Sequence, residues 1–100
     1  MSATRPPAQV LAGMLAGAWL AQALAVVARL GVADLLDAGP RTPAEIATAT
    51  GTNAAAMYRV LRALAGAGVF AEDASGRFGL TPLAGPLRAG ADDSLSLIHI

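Results

Sequence analysis

The chain has 100 residues, enough for one small domain that buries only roughly 60–65% of the surface its unfolded form exposes. Seven basic and seven acidic side chains cancel to a formal net charge of zero, which argues against a chain built to hold polyanions such as nucleic acid. Cysteine is absent, so disulfides and thiolate metal sites are excluded, and the one histidine, His99, cannot build a metal or acid/base site by itself. Apolar residues make up 55% of the chain, but 25 of its residues are alanine, so the larger apolar side chains that fill a core number only about 30. All seven basic residues are arginine, as in GC-rich bacterial coding sequence.

The first element is an apolar run from Ala8 to Ala28 in which Gln9 and Gln22 are the only polar side chains. One reading is an export signal, with Arg5 as a basic start, Val10 to Leu20 as the apolar stretch and Ala23-Leu24-Ala25 as a small-x-small cleavage pattern. The dominance of alanine and glycine, with two glutamines, argues against insertion into a membrane. The reading adopted is a helix of a cytoplasmic protein, opening at Pro6-Pro7 and stopping at Gly31, about 36 Å long at ~1.5 Å per residue. Its bulky residues do not keep to one stripe, so most of its circumference needs cover that a chain of this size cannot supply. A second chain is expected to supply it, with Val10, Leu11, Met14, Leu15 and Trp19 as the candidate interface.

Thr42-Pro43-Ala44-Glu45 has the T-x-x-E form of a capping box with proline at the first helical position, and Ile46 and Ala47 then face inward. Thr50-Gly51-Thr52-Asn53 stops this short helix and starts another, with Thr52 or Asn53 as the cap. In the next helix Met57, Val60, Leu61 and Leu64 form a buried stripe, leaving Tyr58, Arg59 and Arg62 nearer the outside. Val69-Phe70-Ala71 and Arg77-Phe78-Gly79-Leu80 read as a hairpin across Glu72-Asp73-Ala74-Ser75-Gly76. Thr81-Pro82 reads as a further N-cap opening a brief helix through Leu83, Leu87 and Arg88. The expected fold is therefore mostly α: a winged helix-turn-helix with a long N-terminal helix and a small two-stranded wing.

A winged helix raises the possibility of a dimeric transcription regulator, whose second helix enters the major groove. Base edges are read by Arg, Lys, Asn or Gln near that helix's start, and here the positions are Ala54, Ala55 and Ala56. Asn53 serves as a cap, and the wing tip carries Glu72 and Asp73 where a DNA-contacting wing carries cations. From Arg41 to Leu80 the net charge is +1, too little for ordinary phosphate anchoring.

Three segments together resemble a known family. Trp19-Leu20-Ala21-Gln22 running to Leu30-Gly31-Val32-Ala33-Asp34-Leu35-Leu36, then Thr42-Pro43-Ala44-Glu45-Ile46-Ala47, then Tyr58-Arg59-Val60-Leu61-Arg62-Ala63-Leu64 with Gly68-Val69-Phe70 and Phe78-Gly79-Leu80-Thr81, look like the N-terminal dimerisation domain of S-adenosylmethionine-dependent O-methyltransferases. The resemblance is to bacterial enzymes that act on small natural products. It implies a homodimer intertwined through the first helix, a place in the lid over a small-molecule acceptor, and S-adenosylmethionine as the cofactor of a longer parent. It implies no catalytic, cofactor-binding or metal-ligating residue in this chain, because the glycine-rich cofactor turn and the base belong to a separate Rossmann-like domain. Gly66-Ala67-Gly68 is read as a turn between helix and wing, and the chain alone is expected to be inactive.

The expected organisation is a flexible start over residues 1–7, a winged-helix dimerisation domain over 8–90 and a truncated linker over 91–100. The last six residues, Leu95-Ser96-Leu97-Ile98-His99-Ile100, hold two of the three isoleucines and the only histidine. They look like a translation of a transposase adapter, CTG TCT CTT ATA CAC ATC, so a gene fragment with an adapter-derived end is expected. The remaining reading, a stand-alone dimeric helper, requires the native gene to stop here.

Overall fold

The computed structural model describes residues 6–88, so the linker and tail read from the sequence lie outside the described residues, His99 included. The chain runs through helix α1 (Pro7–Leu30), a one-turn helix α2 (Val32–Leu35), a 3-10 turn (Leu36–Ala38), α3 (Pro43–Thr50), α4 (Ala54–Gly66), strands β1 (Phe70–Glu72) and β2 (Phe78–Leu80), and a 3-10 helix (Pro82–Leu87).

Local chemistry accounts for the boundaries. Proline at the first position of α1 gives up an amide that has no helical partner there, and Gly31 ends the helix in the left-handed conformation at φ 68°. The Gly31 amide donates back to Ala28, and the chain turns straight into α2. At α3 the Glu45 amide donates to Thr42 Oγ1 at 3.2 Å while the Thr42 amide donates to Glu45 Oε1 at 2.8 Å, completing the capping box. Hydrogen bonding from the Thr42 amide, and after it from the Thr42 side chain, holds the Glu45 carboxyl below its ordinary value of 4.5. At α4 the cap is Asn53, whose Oδ1 accepts from the Ala56 amide at 3.0 Å. Thr52 is bound elsewhere, its hydroxyl 2.9 Å from that of Thr50.

The two strands pair antiparallel, Phe70 with Leu80, Ala71 with Gly79 and Glu72 with Phe78. Arg41 extends the sheet on the other side of β2, exchanging both backbone hydrogen bonds with Phe78 at 3.0 and 2.7 Å. The turn is closed by Asp73, whose Oδ1 accepts from the Ser75 and Arg77 amides.

The core sits where α4, the C-terminal half of α1, α2, α3 and the wing meet. Its largest fully buried side chains are Phe70, Phe78, Ile46, Leu61, Leu64, Val27 and Val32, and no polar or charged residue is buried among the described residues. In α4 Met57, Leu61 and Leu64 are buried and Val60 is half-buried.

The segment after the wing departs from expectation in two respects. Thr81 occupies the N-cap position of the following helix, but its hydroxyl makes no capping bond. It points back across the wing to the Gly68 and Val69 carbonyls at 2.7 and 2.8 Å, because extended backbone at Thr81 lays it against the turn that opens β1. The helix is 3-10 and contains Pro86, and at three residues per turn it buries Ala84 and leaves Leu83 exposed.

Candidate dimerisation surface

Helix α1 divides lengthwise into two halves with different surroundings. Over its second half Ala23 and Val27 are buried and Leu20 and Leu30 pack against the same core, spacings of three and four residues that form one stripe. The first half has no such contacts. Val10 is 41% exposed, Leu11 61%, Met14 67%, Leu15 72% and Trp19 45%. Leu24, which lies outside the interface expected from the sequence, is 36% exposed.

These side chains fall on two adjoining faces. Leu11, Leu15 and Trp19, four residues apart, make one row, and Val10 and Met14 begin a second that Leu24 continues lower on the helix. Together they cover more than half of the helix circumference, turned away from the stripe that grips the core.

By length and mean hydropathy α1 is apolar enough to cross a membrane. Its attachment to the core argues otherwise. The stretch free of the core, from Pro7 to Trp19, is about 20 Å long at ~1.5 Å per residue, and a bilayer's hydrocarbon layer is ~30 Å thick. Hydrating a cluster of this kind is costly, since covering one such side chain fully contributes about 1.5–3 kcal/mol. The surface therefore calls for another protein surface.

Two of the features that would serve DNA binding, Asn53 and Arg62, are engaged within the domain. Asn53 is used as a cap, and Arg62 Nη1 donates to the Tyr58 hydroxyl at 2.7 Å while its Nε lies 3.6 Å from Glu72 of the wing. The Tyr58 ring in turn meets Phe78 edge-on, centroids 6.2 Å apart. The second arginine contact, Arg88 to Asp37 at 2.9 Å, ties the last described residue to the 3-10 turn after α2.

A cofactor carrying a sulfonium, a carboxylate and a ribose needs a glycine-lined strand-to-helix turn and an acidic partner. The described residues do not fit such a group. Gly68, at φ +87°, lies in the helix-to-strand turn before β1, the reverse of the required order, and among the described residues no polar residue is buried as a whole, the one buried unpartnered side-chain atom being the cationic Arg88 Nε. Among the described residues no cluster of three or more His, Cys, Asp or Glu could hold a metal ion.

Comparison with known proteins places the chain in a family. The model of the O-methyltransferase dimerisation domain matches residues 13–87. The chain belongs to this family. Over 90 residues the dimerisation domain is 46% identical to phenazine O-methyltransferase PhzM of Lysobacter antibioticus, covering 90% of this chain and 26% of that protein. Among solved structures it matches LaPhzM with a TM-score of 0.82 at 44% identity, over 92% of this chain and 28% of that one. It also matches the SAH-bound form of CalO1, a methyltransferase in calicheamicin biosynthesis, with a TM-score of 0.77 at 48% identity over 85% of this chain and 25% of that one. The chain thus spans about a quarter of the length of these relatives. The match decides between the two readings of the winged helix: this one is the dimerisation domain of the O-methyltransferase family.

Proposed function

We propose that this chain forms a homodimer through the first half of α1 and serves a cytoplasmic methyltransferase that moves the methyl group of S-adenosylmethionine to a hydroxyl of a small natural product. The observation that carries the reading is the cluster of Val10, Leu11, Met14, Leu15 and Trp19, left uncovered by a protomer whose core is otherwise closed. A surface shared by identical chains is self-complementary about a twofold axis, and a long helix laid against its own copy meets that condition. The domain occupies residues 8–90 in this reading, a span that encloses the family match over 13–87.

Methyl transfer itself is assigned to residues beyond this domain, whose described residues offer no cradle for the cofactor and no buried base. The dimer's role is to fix the position of two catalytic units and to close part of the cover over each acceptor. Sedimentation or light scattering on the 100-residue chain tests the dimer. A mass of twice 10.0 kDa at micromolar concentration is expected. A monomer across that range would overturn the reading of α1.

A further inference from the structure

We infer that Met14 is an oxidative modification site, at which a hydroperoxide converts the thioether to a sulfoxide and so blocks the pairing of two copies of this chain. The inference rests on the reading of α1 as the homodimer interface. The chain has no cysteine and three methionines, so thioethers are its only sulfur. Met1 lies outside the described residues, and the other two have opposite surroundings. Met57 is 3% exposed, enclosed in the core with Leu61 and Leu64, whereas Met14 is 67% exposed on the projecting half of α1. Oxidation of a thioether follows access to its sulfur, so peroxide reaches Met14 in the free protomer and spares Met57.

The step balances without a cofactor. The sulfur lone pair attacks one oxygen of hydrogen peroxide, a sulfur–oxygen bond forms and the O–O bond breaks. The proton of the attacked oxygen passes to the departing hydroxide, which leaves as water. Sulfur is oxidised by two electrons and the peroxide is reduced by the same two.

The product changes what the interface can bury, because a flexible apolar side chain becomes a polar one. Water satisfies the sulfoxide oxygen in the free protomer. Among the expected interface side chains Val10, Leu11 and Leu15 carry no hydrogen-bond donor, and the indole N–H of Trp19, five residues along, belongs to a different side of the helix from Met14. Pairing then strips the oxygen of water without replacing its partners, and oxidised protomers stay apart. Assembly in turn buries Met14, so pairing and oxidation compete for the same side chain.

The test treats the 100-residue chain with hydrogen peroxide, locates the added oxygen by peptide mass spectrometry and follows association by light scattering across a dilution series. Expected are oxidation of Met14 well ahead of Met57 and a rise of at least about 10-fold in the dimer dissociation constant. Methionine sulfoxide reductases with dithiothreitol should restore the original value. Oxidation of Met14 should also slow at protein concentrations where the dimer predominates. In Met14→Leu the dissociation constant, whatever its starting value, should not move with peroxide, and if this variant does not pair, the reductase treatment decides. Full oxidation of Met14 with an unchanged dissociation constant overturns the inference and leaves the α1 interface standing. An equal loss of dimer in Met14→Leu, or no recovery with the reductases, places the damage elsewhere and overturns it too. A chain that is monomeric before oxidation overturns both the inference and the reading beneath it.

Discussion

The Thr81 hydroxyl lies 2.7 Å from the carbonyl oxygen of Gly68, joining the residue that leaves the wing to the residue that enters it. The bond closes the hairpin at its base, next to the buried Val69 and Phe70, and it holds the 3-10 helix in line so that Ala84 reaches the core. Thr81→Val keeps the shape and removes the donor. The expected loss is about 1 kcal/mol, a fall in Tm of roughly 4–8 °C at fixed protein concentration. Thr81→Ser should retain most of the stability in the same thermal scan.

The capping box of α3 gives a second, pH-dependent prediction. Thr42→Ala removes the acceptor for the Glu45 amide and should cost about 1 kcal/mol. Because hydrogen bonds from Thr42 lower the Glu45 carboxyl below 4.5, its contribution is complete above that value and is lost as pH falls through the lowered one. Glu45→Gln should therefore flatten the acid limb of a stability curve measured by denaturant titration between neutral pH and the acid transition. An unchanged limb would mean that the carboxylate form contributes nothing.

The two halves of α1 should respond differently to substitution. Leu15→Glu places a charge where the partner helix is to sit, and its burial without a counter-ion should weaken association by at least about 100-fold. Light scattering across a dilution series reads the change. Helical content should stay the same, because Leu15 is 72% exposed in the protomer. Val27→Ala, by contrast, leaves a gap in the core and should lower stability without introducing any repulsion between chains.

Phe78 is the keystone of the wing. It is fully buried, bonds Arg41 on one side, pairs with Glu72 on the other and receives the edge of Tyr58. Phe78→Ala should cost about 3–5 kcal/mol, a large part of what a domain this small commands, and leave the chain unfolded or aggregated by size exclusion at 25 °C.

Calorimetric titration of the 100-residue chain with S-adenosylmethionine should give no saturable heat at micromolar concentrations. A micromolar isotherm would place a cofactor site within this domain and overturn the assignment of methyl transfer to residues outside it.

Most of the framework could be read from the residues because its signals are local. Pro6-Pro7 and Gly31 bracket α1, and Thr42 to Glu45 spell out a reciprocal cap whose partners lie three residues apart. The periodicity of Met57, Leu61 and Leu64 marks the inner face of α4. What escaped prediction depends on contacts between distant parts of the chain. The Thr81 hydroxyl looks like a cap until the wing folds back and offers it the Gly68 carbonyl. The bridge from Arg41 to Phe78 links residues 37 positions apart, and nothing in a single arginine announces it. The excess of apolar residues on α1 was legible, yet the exposure of Leu24 was not, because composition alone does not show where core contact gives out along a helix.

Anchoring α1 by one end only separates two demands that usually fall on the same residues. Leu20, Ala23, Val27 and Leu30 hold the protomer together, while Val10 to Trp19 project beyond it. In the proposed homodimer, drift in the projecting turns retunes how strongly the protein assembles while the fold beneath is untouched. Quaternary structure in this architecture is free to evolve at the pace of a surface.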